Sequence, residues 1–361
     1  MMKNICIVTG ARPNFVKVAP IVRAIQRARE QGADVACQLV YAGSEKDSTL
    51  EPTLFEDLQM PRPNFFLGVD CASLNELTGR VMGEFEQYLN AHPTDVVIVV
   101  DDLASTMAVA IVTKKRGLRL AHLVAGTRSF DITMPKEINR LVIDGLSDLL
   151  FTAGVSSNSN ATREGAEMHK IYMVGNILMD SLRQAHGRLR RPAVLDKLKL
   201  EAGQYLVFTL NRRALMADEE NLKQMLVAIT SCGLPIVAPL RDEAAKVVSS
   251  LNIKSSTLNI VQPLPYLEFG WLTANAKGII TDSGNVAEEA TFNSVPCITL
   301  NSYTEHIETV KQGSNVLVGE DANQLREALA TLQRGEWKKC SLPDRWDGRT
   351  AERIVQTLLA M

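Results

Sequence analysis

Val96-Val97-Ile98-Val99-Val100-Asp101-Asp102 is the stretch whose reading decides the fold. Five β-branched residues run without alternation and end abruptly in two carboxylates. A strand half-exposed on one face would alternate apolar and polar side chains. One that is apolar throughout belongs in a parallel sheet covered on both faces. Working outward, similar short runs fall at 4–9, 37–42, 118–124 and 149–153, and a second series at 205–209, 235–239, 257–261, 278–281 and 297–300. Amphipathic helical patterns lie between them, at 16–31, 73–91, 105–116 and 218–231. Strands alternating with helices give the α/β class. A break follows Ile171-Tyr172-Met173-Val174-Gly175-Asn176. A helix then leads into the basic stretch His186-Gly187-Arg188-Leu189-Arg190-Arg191-Pro192 before the second series begins near Tyr205. The expectation is two Rossmann-like domains facing a cleft, with ligands bound beyond the carboxyl ends of the strands.

Composition narrows the function. The chain has 361 residues, enough for two domains, with 46% hydrophobic and 22% charged residues. Lys plus Arg number 39 against 41 Asp plus Glu, a formal net charge of −2, which argues against a polyanion-binding protein. Nucleic-acid and membrane partners are not expected. The six cysteines form no CxxC pair and mostly lie beside apolar runs, so they read as reduced structural thiols in a cytoplasmic protein. The five histidines form no HExxH or Cys/His cluster, and no metal or other cofactor is expected.

Chemistry is therefore sought in the strand-end loops. In Gly10-Ala11-Arg12-Pro13, a glycine precedes a helix opened by Arg-Pro, and Lys17 follows within that helix. Backbone N–H groups flanked by cations suit a phosphate, although a plain turn with a solvated Arg12 has the same sequence. Asp101 and Asp102 end a buried strand before a helix, where a carboxylate serves as general base or as N-cap. The segment from His122 through Arg128 to Arg140 packs many polar side chains after another buried strand. In the second half, Asn211-Arg212-Arg213 follows a strand, and Asp282-Ser283-Gly284-Asn285 joins a strand to a helix carrying Glu288 and Glu289. Ser-Gly-Asn at a helix start presents backbone donors to an anion, and a carboxylate further along could accept from ribose hydroxyls.

Taken together, these loops resemble the non-hydrolysing UDP-N-acetylglucosamine 2-epimerase family along the whole chain. The resemblance rests on Gly10-Ala11-Arg12-Pro13, Asp102 with Ser105-Thr106, His122 with Ala125-Gly126 and Arg128, and Pro135 with Glu137-Ile138-Asn139-Arg140. It continues through Gly175-Asn176, Tyr266-Leu267 with Phe269, and Asp282-Ser283-Gly284 with Glu288-Glu289. It implies a glycosyltransferase B type fold. The N-terminal domain would span 1–178, a UDP-binding domain 179–346, and a helix in 347–361 would return to the first domain. It further implies a homodimer, and a reaction that interconverts UDP-N-acetylglucosamine and UDP-N-acetylmannosamine by removing the C2 proton, eliminating UDP and re-adding it. Carried over by position, Arg12, Ser283 and Gly284, with Lys17 as a further candidate, would meet the diphosphate. Glu289 would meet the ribose and the segment around Phe269 the uracil. His122, Arg128 and Arg212 are further substrate-binding candidates.

Departures from the family pattern gather at the chemistry. His-x-Glu-Ala-Gly is here His122-Leu123-Val124-Ala125-Gly126, and Pro-Glu-Glu is Pro135-Lys136-Glu137. Gly-His-Arg-Arg is Leu210-Asn211-Arg212-Arg213, and Gly-Asp-Thr is Asp101-Asp102-Leu103. The second glycine of Ser-Gly-Gly is Asn285, a Gln-His pair is Ser44-Glu45, and a late arginine-rich loop is Asn301-Ser302-Tyr303-Thr304-Glu305-His306. Of the expected acid/base group only Asp102 remains, since neither a valine nor an amide exchanges a proton as a general base does. The expectation is a UDP- or UDP-amino-sugar-binding homologue with impaired or absent epimerase turnover, pairing with itself or with an active paralogue. The alternatives are an isomerase with relocated groups (Asp101, Asp102, Glu45 or Glu137) and a nucleotide-sugar glycosyltransferase.

Overall fold

A computed structural model describes residues 2–361; Met1, the first residue of the expected N-terminal domain, lies outside the described residues. The chain divides into two compact units. One holds the described residues up to Gln184 together with Asp344–Met361, and the other holds Ala185–Pro343. The expected boundaries lie after 178 and 346, and the units divide after 184 and 343.

The first unit is built on β1 (Lys3–Thr9), β2 (Val35–Tyr41), β3 (Phe65–Phe66), β4 (Val96–Val100), β5 (Arg119–Ala125), β6 (Leu149–Thr152) and β7 (Ile171–Met173). They form a parallel sheet of order β3-β2-β1-β4-β5-β6-β7. The second holds β8 (Leu206–Phe208), β9 (Ile236–Pro239), β10 (Leu258–Val261), β11 (Gly278–Thr281), β12 (Cys297–Thr299) and β13 (Asn315–Leu317), ordered β10-β9-β8-β11-β12-β13. Each unit is Rossmann-like, and the α/β class expected from the apolar runs is what the chain adopts. All five residues of β4 are buried, as an apolar strand covered on both faces must be. β3, β7 and β13 were not among the expected strands. They are two or three residues long at or near the sheet edges, too short to carry a period.

In each unit the winding reverses once, between β1 and β4 in the first and between β8 and β11 in the second. Ligands of open α/β sheets bind outside the strand ends at such a reversal. The loops at Gly10, Asp101, Asn211 and Asp282 follow β1, β4, β8 and β11 respectively.

The helix after β1, Arg12–Glu30, carries Pro13 in its first turn, where no N–H is needed, and Pro20 in its interior. Pro20 cannot donate to the carbonyl four residues back. The Ser181 hydroxyl donates to Val16 O instead. The C-terminal helix Thr350–Ala360 packs on Arg12–Glu30 within the first unit, and Lys3 Nζ donates to Leu358 O at 2.6 Å. Buried Asp180 starts that helix, accepting from Thr350 N at 3.1 Å and Ala351 N at 2.8 Å. Asp180→Ala removes this cap and leaves two buried donors, so a loss of about 1–2 kcal/mol is expected, read as a lowered denaturation midpoint with an unchanged m-value.

All six cysteines are free. Burial pushes the Cys6 and Cys297 thiols well above their ordinary range, which leaves them unreactive. No helix among the described residues is long and apolar enough to cross a membrane.

Candidate functional site at the strand ends

At the end of β1, the Gly10 and Ala11 amides both donate to Asn14 Oδ1, at 2.9 and 3.1 Å. The loop thus uses these two donors internally, in place of the open phosphate cradle its sequence suggests. A Cβ at Gly10 would lie 2.1 Å from Ser105 Oγ, so a larger residue there would have to turn that hydroxyl away. Arg12 remains part-exposed, with Glu51 3.5 Å away. Lys17 is buried and lies 2.6 Å from Asp101 Oδ1, while Asp101 Oδ2 accepts from Asn14 Nδ2 at 2.8 Å.

Asp102, beside it, is held by Arg140. Its Oδ2 accepts from Nε at 2.8 Å and lies 2.6 Å from Nη2, while Lys136 Nζ stands 3.8 Å from Oδ1. Asn139 Nδ2 also donates to the Asp102 carbonyl, at 2.8 Å. Arg140 turns its other end to Glu137, with 2.9 Å between Nη1 and Oε2. Glu137 is 2% exposed and further accepts from Ser129 N, Ser129 Oγ and Phe130 N at 2.9–3.0 Å. Burial alone would raise its pKa. The backbone donors of Ser129 and Phe130, with Arg140 and the Ser129 hydroxyl, outweigh burial and hold the carboxyl below the ordinary glutamate range.

Within β5, His122 is 1% exposed and spends both ring nitrogens: Nδ1 lies 2.6 Å from Asp144 Oδ1 and Nε2 2.9 Å from the Asp101 carbonyl. The second Asp144 oxygen takes Gly126 N at 3.0 Å and lies 2.7 Å from Arg128 Nη2. Arg128, 4% exposed, grips Glu164 through Nε and Nη2 at 2.8 and 2.5 Å. Burial opposes ionisation of Asp144, but His122, Arg128 and the Gly126 amide hold it below the usual aspartate range. The structure thus gathers His122 and Arg128 into one buried chain of pairs with protein partners. Between them, Val124 has φ 72, a region that β-branched residues seldom occupy. It sits at the irregularity where the β5–β6 register shifts.

In the second unit, Asp282 Oδ2 accepts from Asn211 N at 2.7 Å and Arg212 N at 2.5 Å, which ties the loop after β8 to the loop after β11. The Arg212 guanidinium reaches Asn301 at 2.9 Å and Glu320 at 2.8 Å. Ser283 is the N-cap of helix Gly284–Phe292 but provides no side-chain cap. The His306 ring lies over this end, 3.0 Å from where a Cβ on Gly284 would stand, and its Nδ1 is 2.9 Å from Glu288 Oε1. Glu289, half-buried on the same helix, is pushed up to about 8 by burial and then by the Glu288 charge. Phe269 is half-buried on helix Tyr266–Ala274, against the core behind β11.

Reading the sequence did not single out Asp144, Glu164 or Asp282 as organisers, nor His306 as the residue over Gly284. The first two lie 22 and 36 residues from the groups they bind. For Asp282, its place immediately before Ser-Gly was a usable signal.

Residues 27–359 match the UDP-N-acetylglucosamine 2-epimerase family. The chain belongs to this family. It is 34% identical over 336 residues to a UDP-N-acetylglucosamine 2-epimerase homolog of Methanococcus maripaludis, which covers 91% of this chain and 92% of that one. It is 31% identical over 333 residues to the UDP-2,3-diacetamido-2,3-dideoxy-D-glucuronate 2-epimerase of Pseudomonas aeruginosa, covering 91% and 92%. The crystal structure of the Methanocaldococcus jannaschii UDP-GlcNAc 2-epimerase in complex with UDP-GlcNAc and UDP superposes with a TM-score of 0.85 at 31% identity, covering 99% of this chain and 100% of that one. The glycosyltransferase B type fold that the family resemblance implies is the one this chain adopts.

The two perturbed glutamates make opposite predictions for stability. Glu137, held below its ordinary range, binds fewer protons folded than unfolded, so its contribution is present above the ordinary glutamate pKa and is lost as pH falls through its folded value. Glu137→Gln should cost about 3 kcal/mol at neutral pH and should flatten the acid limb of a denaturation series. Glu289 binds more protons folded, so wild type should lose stability relative to Glu289→Gln as pH rises from about 4.5 to about 8, with the difference constant at more acid pH.

Proposed function

We propose that this family member binds a UDP-amino sugar and that its 2-epimerase turnover is impaired or absent. One observation carries the reading: the carboxylates expected near the C2 proton are held in ion pairs, and position 124 carries a valine. Asp102 is held by Arg140, Glu137 by Arg140 and three Ser129 and Phe130 donors, and Asp101 by Lys17. A carboxylate accepts a proton only by weakening such charge-assisted bonds, which lowers its value as a base. The same pairing counts against an isomerase with relocated groups at Asp101, Asp102 or Glu137. Glu45, the remaining candidate, is exposed.

UDP as ligand is supported by the M. jannaschii complex and by a second-unit loop whose helix start at Ser283-Gly284 lacks a side-chain cap. Arg12, Ser283 and Gly284 would meet the diphosphate and Glu289, protonated near neutral pH, would both donate to and accept from ribose hydroxyls. The P. aeruginosa relative bears the name of a different UDP-amino sugar, so the proposal is for that class of ligand.

A second reading, a subunit beside an identical or an active homologous chain, is favoured by one patch. Phe130 and Ile132 are 67% and 68% exposed, and Ile138 and Leu141 follow at 47% and 40% on helix Pro135–Leu146. Ile138 and Leu141 stand one turn apart on one face of that helix, and contiguous exposed apolar side chains mark an interaction surface.

Proton NMR of UDP-N-acetylglucosamine in D₂O with the pure protein tests the catalytic half, and thermal denaturation with UDP tests the binding half. The expected outcome is an unchanged C2 signal and a melting temperature that climbs with UDP, by about 2.7 kcal/mol of stabilisation at a hundredfold excess over Kd. Deuterium at C2 or a manno signal overturns the impairment. No shift at millimolar UDP overturns the nucleotide-sugar reading.

A further inference from the structure

Asp101 follows β4 with φ 58, the left-handed region that suits glycine, so a side chain stands at a turn that does not need one. Its carboxylate points back onto the helix after β1. Oδ1 lies 2.6 Å from Lys17 Nζ and Oδ2 accepts from Asn14 Nδ2 at 2.8 Å. The pair is largely shielded, with side-chain exposures of 8% for Lys17 and 18% for Asp101, so the attraction is only weakly screened by water. An ammonium and an amide N–H converging on one oxyanion are the donors that a phosphate oxygen would use.

We propose that Asp101 is an internal competitor for the ligand's diphosphate. It occupies Lys17 in the unliganded chain and lowers affinity for UDP and UDP-amino sugars. This rests on the nucleotide-sugar reading above. Two anions cannot both take the full charge of one lysine, so ligand binding must displace Asp101 or forgo Lys17. Asp101 therefore sets the ligand concentration at which the site fills. A purely structural pair would behave differently. Removing Asp101 would then cost the buried Lys17 this ion pair, and stability would fall with no gain in affinity.

Calorimetric titration of the full chain with UDP separates the two cases. Asp101→Asn keeps the size and the approach to Asn14 but removes the charge, whereas Asp101→Gly restores the relaxed turn. Both should tighten UDP about tenfold or more. Both should also show a larger UDP-induced rise in melting temperature than wild type. The gain should vanish when Lys17→Met is added, as a coupled pair requires. If one replacement fails to fold, the other supplies the comparison. Equal affinity in wild type and the folded variants overturns the competitor while leaving the nucleotide-sugar reading intact. A gain that survives Lys17→Met overturns the route through Lys17. If no form binds UDP at millimolar concentration, the ligand reading falls and the competitor falls with it.

Discussion

A parallel sheet covered on both faces admits a titratable side chain along its buried strands only where a partner meets it, as Asp144 meets His122 in β5. β4 is buried at all five positions, and β1 and β5 beside it are mostly so. Polar groups are therefore displaced to the carboxyl ends, where the strands stop and the helices begin. In the first unit Lys17, Asp101, Asp102, His122, Arg128, Glu137, Arg140 and Asp144 collect within a few residues of β1, β4 and β5 or on the two helices behind them. Charges packed this densely over an apolar sheet are tolerable only when paired. The result is three neighbouring arrangements: Asp101 with Lys17, Asp102 and Glu137 sharing Arg140, and Asp144 between His122 and Arg128.

This pairing explains which parts of the molecule were legible in the sequence. Apolar runs such as Val96–Val100 define strands by themselves, because burial on both faces dictates every side chain. The loops that matter were legible too, since parallel topology puts ligand chemistry at strand ends. Pairing was not. His122 and Arg128 looked like ligand-facing residues because polar neighbours crowd them in sequence, yet the groups that engage them come from helix Pro135–Leu146 and from Glu164. Gly10-Ala11-Arg12 looked like an open phosphate loop, yet Asn14, three residues into the same segment, takes two of its amides. A side chain's partner is set by register and helix rotation, which composition and spacing do not encode.

The second unit handles its strand ends with backbone more than with charge. One carboxylate oxygen of Asp282 receives the amides of Asn211 and Arg212, and Asn301 Nδ2 donates to the Asp282 carbonyl at 3.3 Å. Three loops, after β8, β11 and β12, are joined through a single residue. This frame uses the Asn211 backbone amide and the Asn301 side-chain amide.

The same logic accounts for the backbone at the end of β5. Val124 at φ 72 is a strained position, of the kind that persists only where its surroundings over-determine it. Those surroundings are visible. Thr127 Oγ1 donates to the Val124 carbonyl at 3.1 Å, Gly126 N is fixed on Asp144, and Asn160 Nδ2 holds the Gly126 carbonyl at 3.0 Å. Gly126 itself admits no side chain, since a Cβ would lie 2.1 Å from Ser157 O. None of these restraints passes through the side chain at 124. The turn is maintained by the buried network beneath it, so its backbone does not depend on the side chain at its apex.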